Sequence, residues 1–236
     1  MKIYADADAL ADAAGRHFLE GFSRLPETSV RWCVALSGGR IAPKLFQSIV
    51  RQATGRRLAW EKVEFFFADD RWVPWCDEQS NYGVAQRYLF QPLNINPRSV
   101  HPLYLGRSIE FDAAQAQADL LRKAACTVDG NPILDAVILG MGEDGHIASL
   151  FPNAPKDVVD SRAVYLPVYA PKSPHQRITL TYGVLAVARD VLVVISGSGK
   201  EAALRESIQT NSNTPLGLLI SRRRHTVIFT DFPLSS

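Results

Sequence analysis

The chain has 236 residues, of which 26 are Lys or Arg and 24 are Asp or Glu, with 47% hydrophobic and 21% charged residues. This composition supports a packed core and excludes a disordered, collagen-like or low-complexity chain. A formal net charge of +2 leaves no broad basic field to hold a phosphate polymer, so nucleic acid and anionic membrane are not expected partners.

The first ten residues, MKIYADADAL, place Asp6 and Asp8 where a signal peptide needs its apolar run. No uncharged apolar stretch approaches the roughly 18 residues of a membrane span, so a cytoplasmic protein is expected. Cys33, Cys76 and Cys126 are odd in number and widely spaced, which indicates neither a disulfide framework nor a zinc ribbon. Residues 8–23 bring Leu10, Ala13, Ala14, His17, Phe18, Gly21 and Phe22 onto one helical face. A strand follows over Val30–Leu36, then the turn Ser37-Gly38-Gly39-Arg40 and a helical stretch to about Ala53. Lys62–Ala68 is a second strand, leading into a polar turn over 69–80 and a helix near 80–91. Strong helix formers predict a helix across 110–126. Leu134–Gly140 reads as a strand buried on both faces, 163–168 and 175–180 as extended, and 182–189 as helical. Val191–Ser196 is another buried strand, 199–209 is helical, and His225–Thr230 is the last strand. Alternating strands and helices with near-continuous Val/Ile/Leu strands predict an α/β fold, a mainly parallel sheet with helices on both faces, in one domain over residues 1–236.

Ligands of such sheets sit beyond the carboxyl ends of the strands, so the post-strand loops are the candidate sites. Ser37–Arg40 could turn its amides toward an anion or be an ordinary Gly-rich turn; it lacks the Lys-Ser/Thr pair of a P-loop. Asp69, Asp70 and Arg71 could supply an acid or base and a clamp, or form a solvated charged turn. Ser80-Asn81 is explained by helix N-capping.

Gly140-x-Gly142-x-x-Gly145 has dinucleotide-fingerprint spacing, but Pro152 lies only seven residues beyond Gly145, leaving little room for a Rossmann crossover helix. The glycines instead present Asp144 and His146 at the sheet edge, at an expected helix start, where an imidazole beside a carboxylate suits proton transfer. Arg177 and Lys200 could converge with the Ser37–Arg40 turn on a compact dianion. Arg222-Arg223-Arg224 reads as a solvated basic turn.

Taken in order, LSGG at 36–39, DDRWVP at 69–74, SN at 80–81, GMGEDGHIASLFP at 140–152, RITLT at 177–181 and SGSGK at 196–200 resemble the 6-phosphogluconolactonase family over nearly the whole chain. The 140–152 segment is the specific one. The resemblance implies a Rossmann-like fold without nucleotide, similar to glucosamine-6-phosphate deaminases and ribose-5-phosphate isomerases. It implies hydrolysis of 6-phospho-D-glucono-1,5-lactone to 6-phosphogluconate in the oxidative pentose phosphate pathway, with no metal and no cofactor. Carried over by residue, His146 is the general base and Asp144 orients it. Asp69 and Arg71 line the sugar end, and Ser37, Gly38, Gly39, Arg40, Arg177 and Lys200 hold the phosphate. The chain departs from the family pattern at Asp70, where Glu is more usual, and at Ile41 and Ile147, where relatives commonly carry hydroxyl residues. Two rival readings keep the same cradle: a glucosamine-6-phosphate deaminase or isomerase with Asp69 as base, and a non-catalytic sugar-phosphate-binding regulator.

Overall fold

The computed structural model describes residues 1–24 and 31–234. In chain order its elements are β1 (Lys2–Ile3), α1 (Ala7–Ser23), β2 (Trp32–Leu36), α2 (Ala42–Ala53), β3 (Val63–Phe67), β4 (Asp69–Arg71), α3 (Asn81–Ala85), α4 (Ile109–Lys123), β5 (Ala125–Cys126), β6 (Pro132–Ile133), β7 (Ala136–Leu139), α5 (Lys156–Val159), β8 (Tyr165–Tyr169), β9 (Gln176–Leu180), α6 (Tyr182–Val187), β10 (Asp190–Ile195), α7 (Glu201–Ser207), α8 (Pro215–Ser221) and β11 (Val227–Thr230). The expected Val30 start of the second strand lies outside the described residues.

α1 begins where the sequence dictates, because the Asp6 carboxylate accepts from the backbone N–H groups of Asp8 and Ala9 at 3.0 and 2.8 Å. Its apolar stripe buries Phe18 and Phe22, whose rings each lie 5.0 Å from Trp32 of β2. Strands β2, β3 and β7 are buried at every residue, so both faces of their sheet are covered. That sheet is wholly parallel, in the order β1-β11-β10-β7-β2-β3. From β2 the chain moves outward to β3, whereas from β7 it moves the other way, to β10 and β11. The β2–β7 pair is therefore the topological switch point, and the loops leaving its carboxyl ends diverge and open a crevice.

The polar turn expected at 69–80 is in part a strand. Asp69–Arg71 pairs antiparallel with β9, which also pairs with β8, and this small sheet stands beside the crevice. Strand alternation sends Asp69 and Arg71 to one face and Asp70 to the other. Asp70 accordingly does not join Asp69 as an acid–base pair. Its carboxylate accepts from the N–H groups of Asn81, Tyr82 and Arg71 at 2.7, 2.9 and 2.8 Å, fixing the start of α3, while Ser80 supplies the N-cap. α3 then runs into a π turn over Gln86–Phe90. The basic turn also differs from expectation, because Arg223 donates to the α6 carbonyls of Leu185 and Ala186 at 2.7 and 2.8 Å. Those terminal acceptors favour a cation.

Burial raises the Asp70 carboxyl to about 7, the pull of its backbone donors being outweighed with help from Asp69. The folded chain thus holds a proton there that the unfolded chain, at 3.8, has released. The contribution to stability is complete below about pH 4 and is lost as pH rises through about 7. Asp70→Asn, which cannot titrate, should therefore gain on wild type across this window. Parallel thermal-melt profiles for the two proteins would remove the assignment.

Candidate active site

The loops after β2, β7 and β10 and the inner face of the β4–β9 pair meet in a narrow cleft. Ser37, Gly38, Gly39, Arg40, Asp69, Arg71, His146, Arg177 and Lys200 all line it. Asp144 lines the adjoining cavity, which shares His146, Arg177 and Lys200. The structure thus brings together the residues that the resemblance assigned to the site, while Asp70, the second carboxylate of the 69–71 segment, points away to α3.

The loop after β7 is a closed turn: Gly142 N–H donates to His146 O at 2.8 Å and Gly145 N–H to Gly142 O at 3.1 Å. No helix starts at His146, contrary to expectation; the chain turns again, with Leu150 N–H bonded to Ile147 O at 2.9 Å. His146 Nδ1 lies 2.5 Å from Asp144 Oδ1. Burial raises the Asp144 pKa, but the charge of His146 and its hydrogen bonds outweigh that and hold the carboxyl below its usual value. An ionised Asp144 only accepts, so Nδ1 is the donor and Nε2 is left for chemistry. A Cβ on Gly142 would stand 2.1 Å from His146 Nδ1 and 2.6 Å from Asp144 Oδ1. The glycine makes room for this pair, not for a pyrophosphate.

Two guanidinium groups share the β4–β9 face, because Arg71 and Arg177 are directly opposed in the antiparallel register. Like charges in that relation repel. Burial, then Arg71, lower the Arg177 pKa against the attraction of Asp69 and Asp70. Arg177 Nε donates to Pro174 O at 3.1 Å and its guanidinium lies 5.6 Å from the Phe151 ring centroid. Arg71 Nη1 donates to Gln79 O and Asn81 Oδ1, both at 2.9 Å, while its buried Nε has no protein acceptor among the described residues.

Lys200 is only 8% exposed and makes no ion pair among the described residues. Burial, then the charge of Arg40, lower its pKa against Glu143 and Asp231. A nearly buried, unpaired cation is costly unless an anion meets it. Arg40 itself bonds Glu143 at 2.7 Å on an exposed rim. At the start of α2, Ile41 provides no side-chain cap, but the Ala42 N–H is taken by Gly39 O at 3.1 Å and Pro43 has none to offer.

The Ser37 hydroxyl, anticipated as a phosphate ligand, instead donates to Asp69 Oδ1 at 2.7 Å. Two participants escaped the sequence reading. Ser149 Oγ donates to Asp69 Oδ2 at 2.7 Å. Asn81 donates from Nδ2 to Asp69 O at 2.8 Å and packs so closely that a Cβ on Gly38 would fall 1.9 Å from its Oδ1. The signal for Asn81 was redundancy: Ser80 already caps the helix. Among the described residues no group of three His, Cys, Asp or Glu is placed to hold a metal ion.

Residues 5–228 match the family described as glucosamine-6-phosphate isomerases/6-phosphogluconolactonase. A 6-phosphogluconolactonase of Pseudomonas putida is 35% identical over 217 residues, covering 90% of this chain and 84% of the relative. The crystal structure of 6-phosphogluconolactonase from Thermotoga maritima superposes with a TM-score of 0.82 at 24% identity, covering 98% of both chains. A monomeric glucosamine-6-phosphate deaminase superposes at 0.80 and 16% identity, over 98% of this chain and 97% of that one. The two chemistries therefore share this backbone, and side chains must separate them.

Gly142→Ala should separate His146 from Asp144 while sparing the sheet. The expected result is a moderate drop in melting temperature and, by NMR, loss of the hydrogen-bonded His146 Nδ1–H signal. An Nδ1–H signal as in wild type would refute the steric reading.

Proposed function

The chain belongs to the family of glucosamine-6-phosphate isomerases and 6-phosphogluconolactonases, and from that premise we propose that its cleft hydrolyses 6-phospho-D-glucono-1,5-lactone to 6-phosphogluconate with His146 as the base. The observation that carries this reading is one cleft holding both a carboxylate-oriented imidazole and a nearly buried, unpaired lysine. The first suits water activation and the second suits a phosphate.

Lys200 and Arg177, with the amides of Gly38 and Gly39, receive the phosphate. Arg40 can join them by exchanging its rim contact with Glu143. Binding a group that does not react fixes the lactone carbonyl near His146. His146 Nε2 takes a proton from water, and the hydroxide oxygen bonds to the lactone carbonyl carbon. Arg71, which lines the cleft, faces the oxygen on which negative charge develops. As the tetrahedral centre collapses, the bond to the ring oxygen breaks and that oxygen takes the proton back from the imidazolium. Asp144 holds the ring in the tautomer that permits both transfers. A lactone is an activated ester, so water and a base suffice.

Asp69 separates this reading from isomerisation or deamination. Each of its oxygens already accepts a hydroxyl at 2.7 Å, which suits a fixed acceptor for a sugar hydroxyl better than a base that must take a carbon-bound proton. A cytoplasmic site of action belongs to the same proposal; no helix among the described residues is long and apolar enough to cross a membrane.

Freshly prepared lactone should disappear faster with the protein than without it, and His146→Ala should cut kcat by about 10²–10⁴-fold. Ammonia release from glucosamine 6-phosphate, without faster lactone loss, would overturn the reading. Lys200→Ala should raise KM for the phosphorylated lactone by roughly 10–100-fold and leave turnover of an unphosphorylated lactone unchanged. An equal loss on both substrates would remove Lys200 from the phosphate site. Asp144→Asn should lower kcat with little change in phosphate affinity, because the imidazole loses the acceptor that fixes its tautomer; an unchanged kcat would detach Asp144 from the base.

A further inference from the structure

Ser149 sits in the apolar run Ile147–Phe151 and is 1% exposed, between Ala148 at 6% and Leu150 at 0%. A hydroxyl in such a place is costly unless its hydrogen bonds are made. Both of its donors are used across the fold. The hydroxyl reaches Asp69 Oδ2 at 2.7 Å, and the backbone N–H reaches Thr179 Oγ1 at 3.2 Å. Thr179 is the residue directly opposite Asp69 in the β4–β9 register, and Arg177 is opposite Arg71. Ala148 precedes it with φ +46, a left-handed conformation unfavourable for a residue with a Cβ and kept only where surrounding contacts over-determine it. That turn sets the Ser149 hydroxyl against Asp69 from below the cleft lining, three residues after His146.

We propose that Ser149 is a positioning residue: it clamps the Asp69 carboxylate and ties the segment carrying His146 to the strand pair carrying Asp69, Arg71 and Arg177. The proposal rests on the lactonase reading, in which His146 and Asp69 face the same substrate. Ser37 holds the other oxygen of Asp69 from the loop after β2. With one hydroxyl on each oxygen the carboxylate plane is fixed, and without Ser149 the carboxylate pivots about the Ser37 bond. Of the phosphate cradle, Lys200, Gly38 and Gly39 lie outside the clamp, and the Arg177 guanidinium is held separately by Pro174 O at 3.1 Å. Losing the clamp therefore harms alignment of the sugar and not capture of the anion.

The test compares wild type, Ser149→Ala, Ser149→Cys and Asp69→Ala, and adds Ser149→Ala in the Asp69→Ala background. kcat/KM for the lactone and the inhibition constant of inorganic phosphate are measured for each. Ser149→Ala should lower kcat/KM about tenfold, the worth of one hydrogen bond, with phosphate inhibition within about twofold of wild type. Ser149→Cys, which fills the same space with a poor donor, should lose as much; wild-type activity in that variant would assign the role to packing and overturn the proposal. In the Asp69→Ala background the serine should no longer matter, whereas a further tenfold loss would show that it acts independently of Asp69. Weakened phosphate inhibition in Ser149→Ala would point to general damage and count against the clamp. A wild-type chain with no lactonase activity overturns the functional reading and this one together. An active wild type, an inactive His146→Ala and an unimpaired Ser149→Ala overturn this one alone.

Discussion

The parallel pairing of β2 with β7 is the constraint from which the cleft follows. Val34, Ala35 and Leu36 lie beside Ala136, Val137 and Ile138, and the pairing continues one residue further, where Ser37 N–H donates to Ile138 O at 3.0 Å. The two chains then part, because β2 must cross to β3 on one side and β7 to β10 on the other. The loop with the paired glycines and the loop with Asp144 and His146 therefore leave the sheet side by side and separate. The β4–β9 pair closes a third side: Leu180 N–H bonds to Ala68 O at 2.7 Å, and Ala68 N–H to Leu36 O at 2.7 Å. One backbone thread thus runs from the central strand through the β3–β4 link to β9, setting Arg71 and Arg177 over the crevice.

The small net charge of the chain conceals a strongly uneven interior. Arg71, Arg177 and Lys200 stand around one opening, and burial is only partly offset, for Arg177 by Asp69 and Asp70 and for Lys200 by Glu143 and Asp231. Glu64, at the amino end of the same sheet, is a buried charge met within the fold: it is contacted by Lys123 at 2.6 Å and His101 at 2.7 Å, and these partners outweigh its burial and lower its pKa. Lys200 has no such partner among the described residues. The contrast between two buried sites in one protein, one neutralised by its own side chains and one left cationic, is an electrostatic argument for an anion of matching size.

The main sheet was legible because its strands are buried on both faces and so are written as unbroken apolar runs, as in Val191–Ile195. The chemistry was legible where several unusual residues cluster, as in Gly140–Pro152. Asp69–Arg71 was misread as a turn because three charged residues in a row carry no strand signal. They form one only through pairing with β9, more than a hundred residues away, and through hydrogen bonds that absorb both carboxylates. The helix expected at His146 failed for a related reason, since the Gly142–His146 turn and the left-handed Ala148 bend the chain before a helical turn can close. Ser149 carried no local signal, as a serine in an apolar run declares itself only when its acceptor is known. Ser37 was assigned to the phosphate on the same incomplete information.

The Gly-x-Gly-x-x-Gly spacing after β7 shows how one local device serves two chemistries. In a dinucleotide fold the middle glycine lets a pyrophosphate approach the backbone. Here the space above Gly142 is filled by the protein itself, with the His146 ring 2.1 Å and the Asp144 carboxylate 2.6 Å from where a Cβ would be. The same absence of a side chain that would admit a ligand instead admits a base and the group that orients it. With the imidazole in that space, the proposed anion site lies over the neighbouring loop, where Gly39, Arg40 and Lys200 line the same cleft. On that reading the base over one turn and the anion over the next separate the reacting end of a substrate from its phosphate, the separation that a phosphorylated lactone requires.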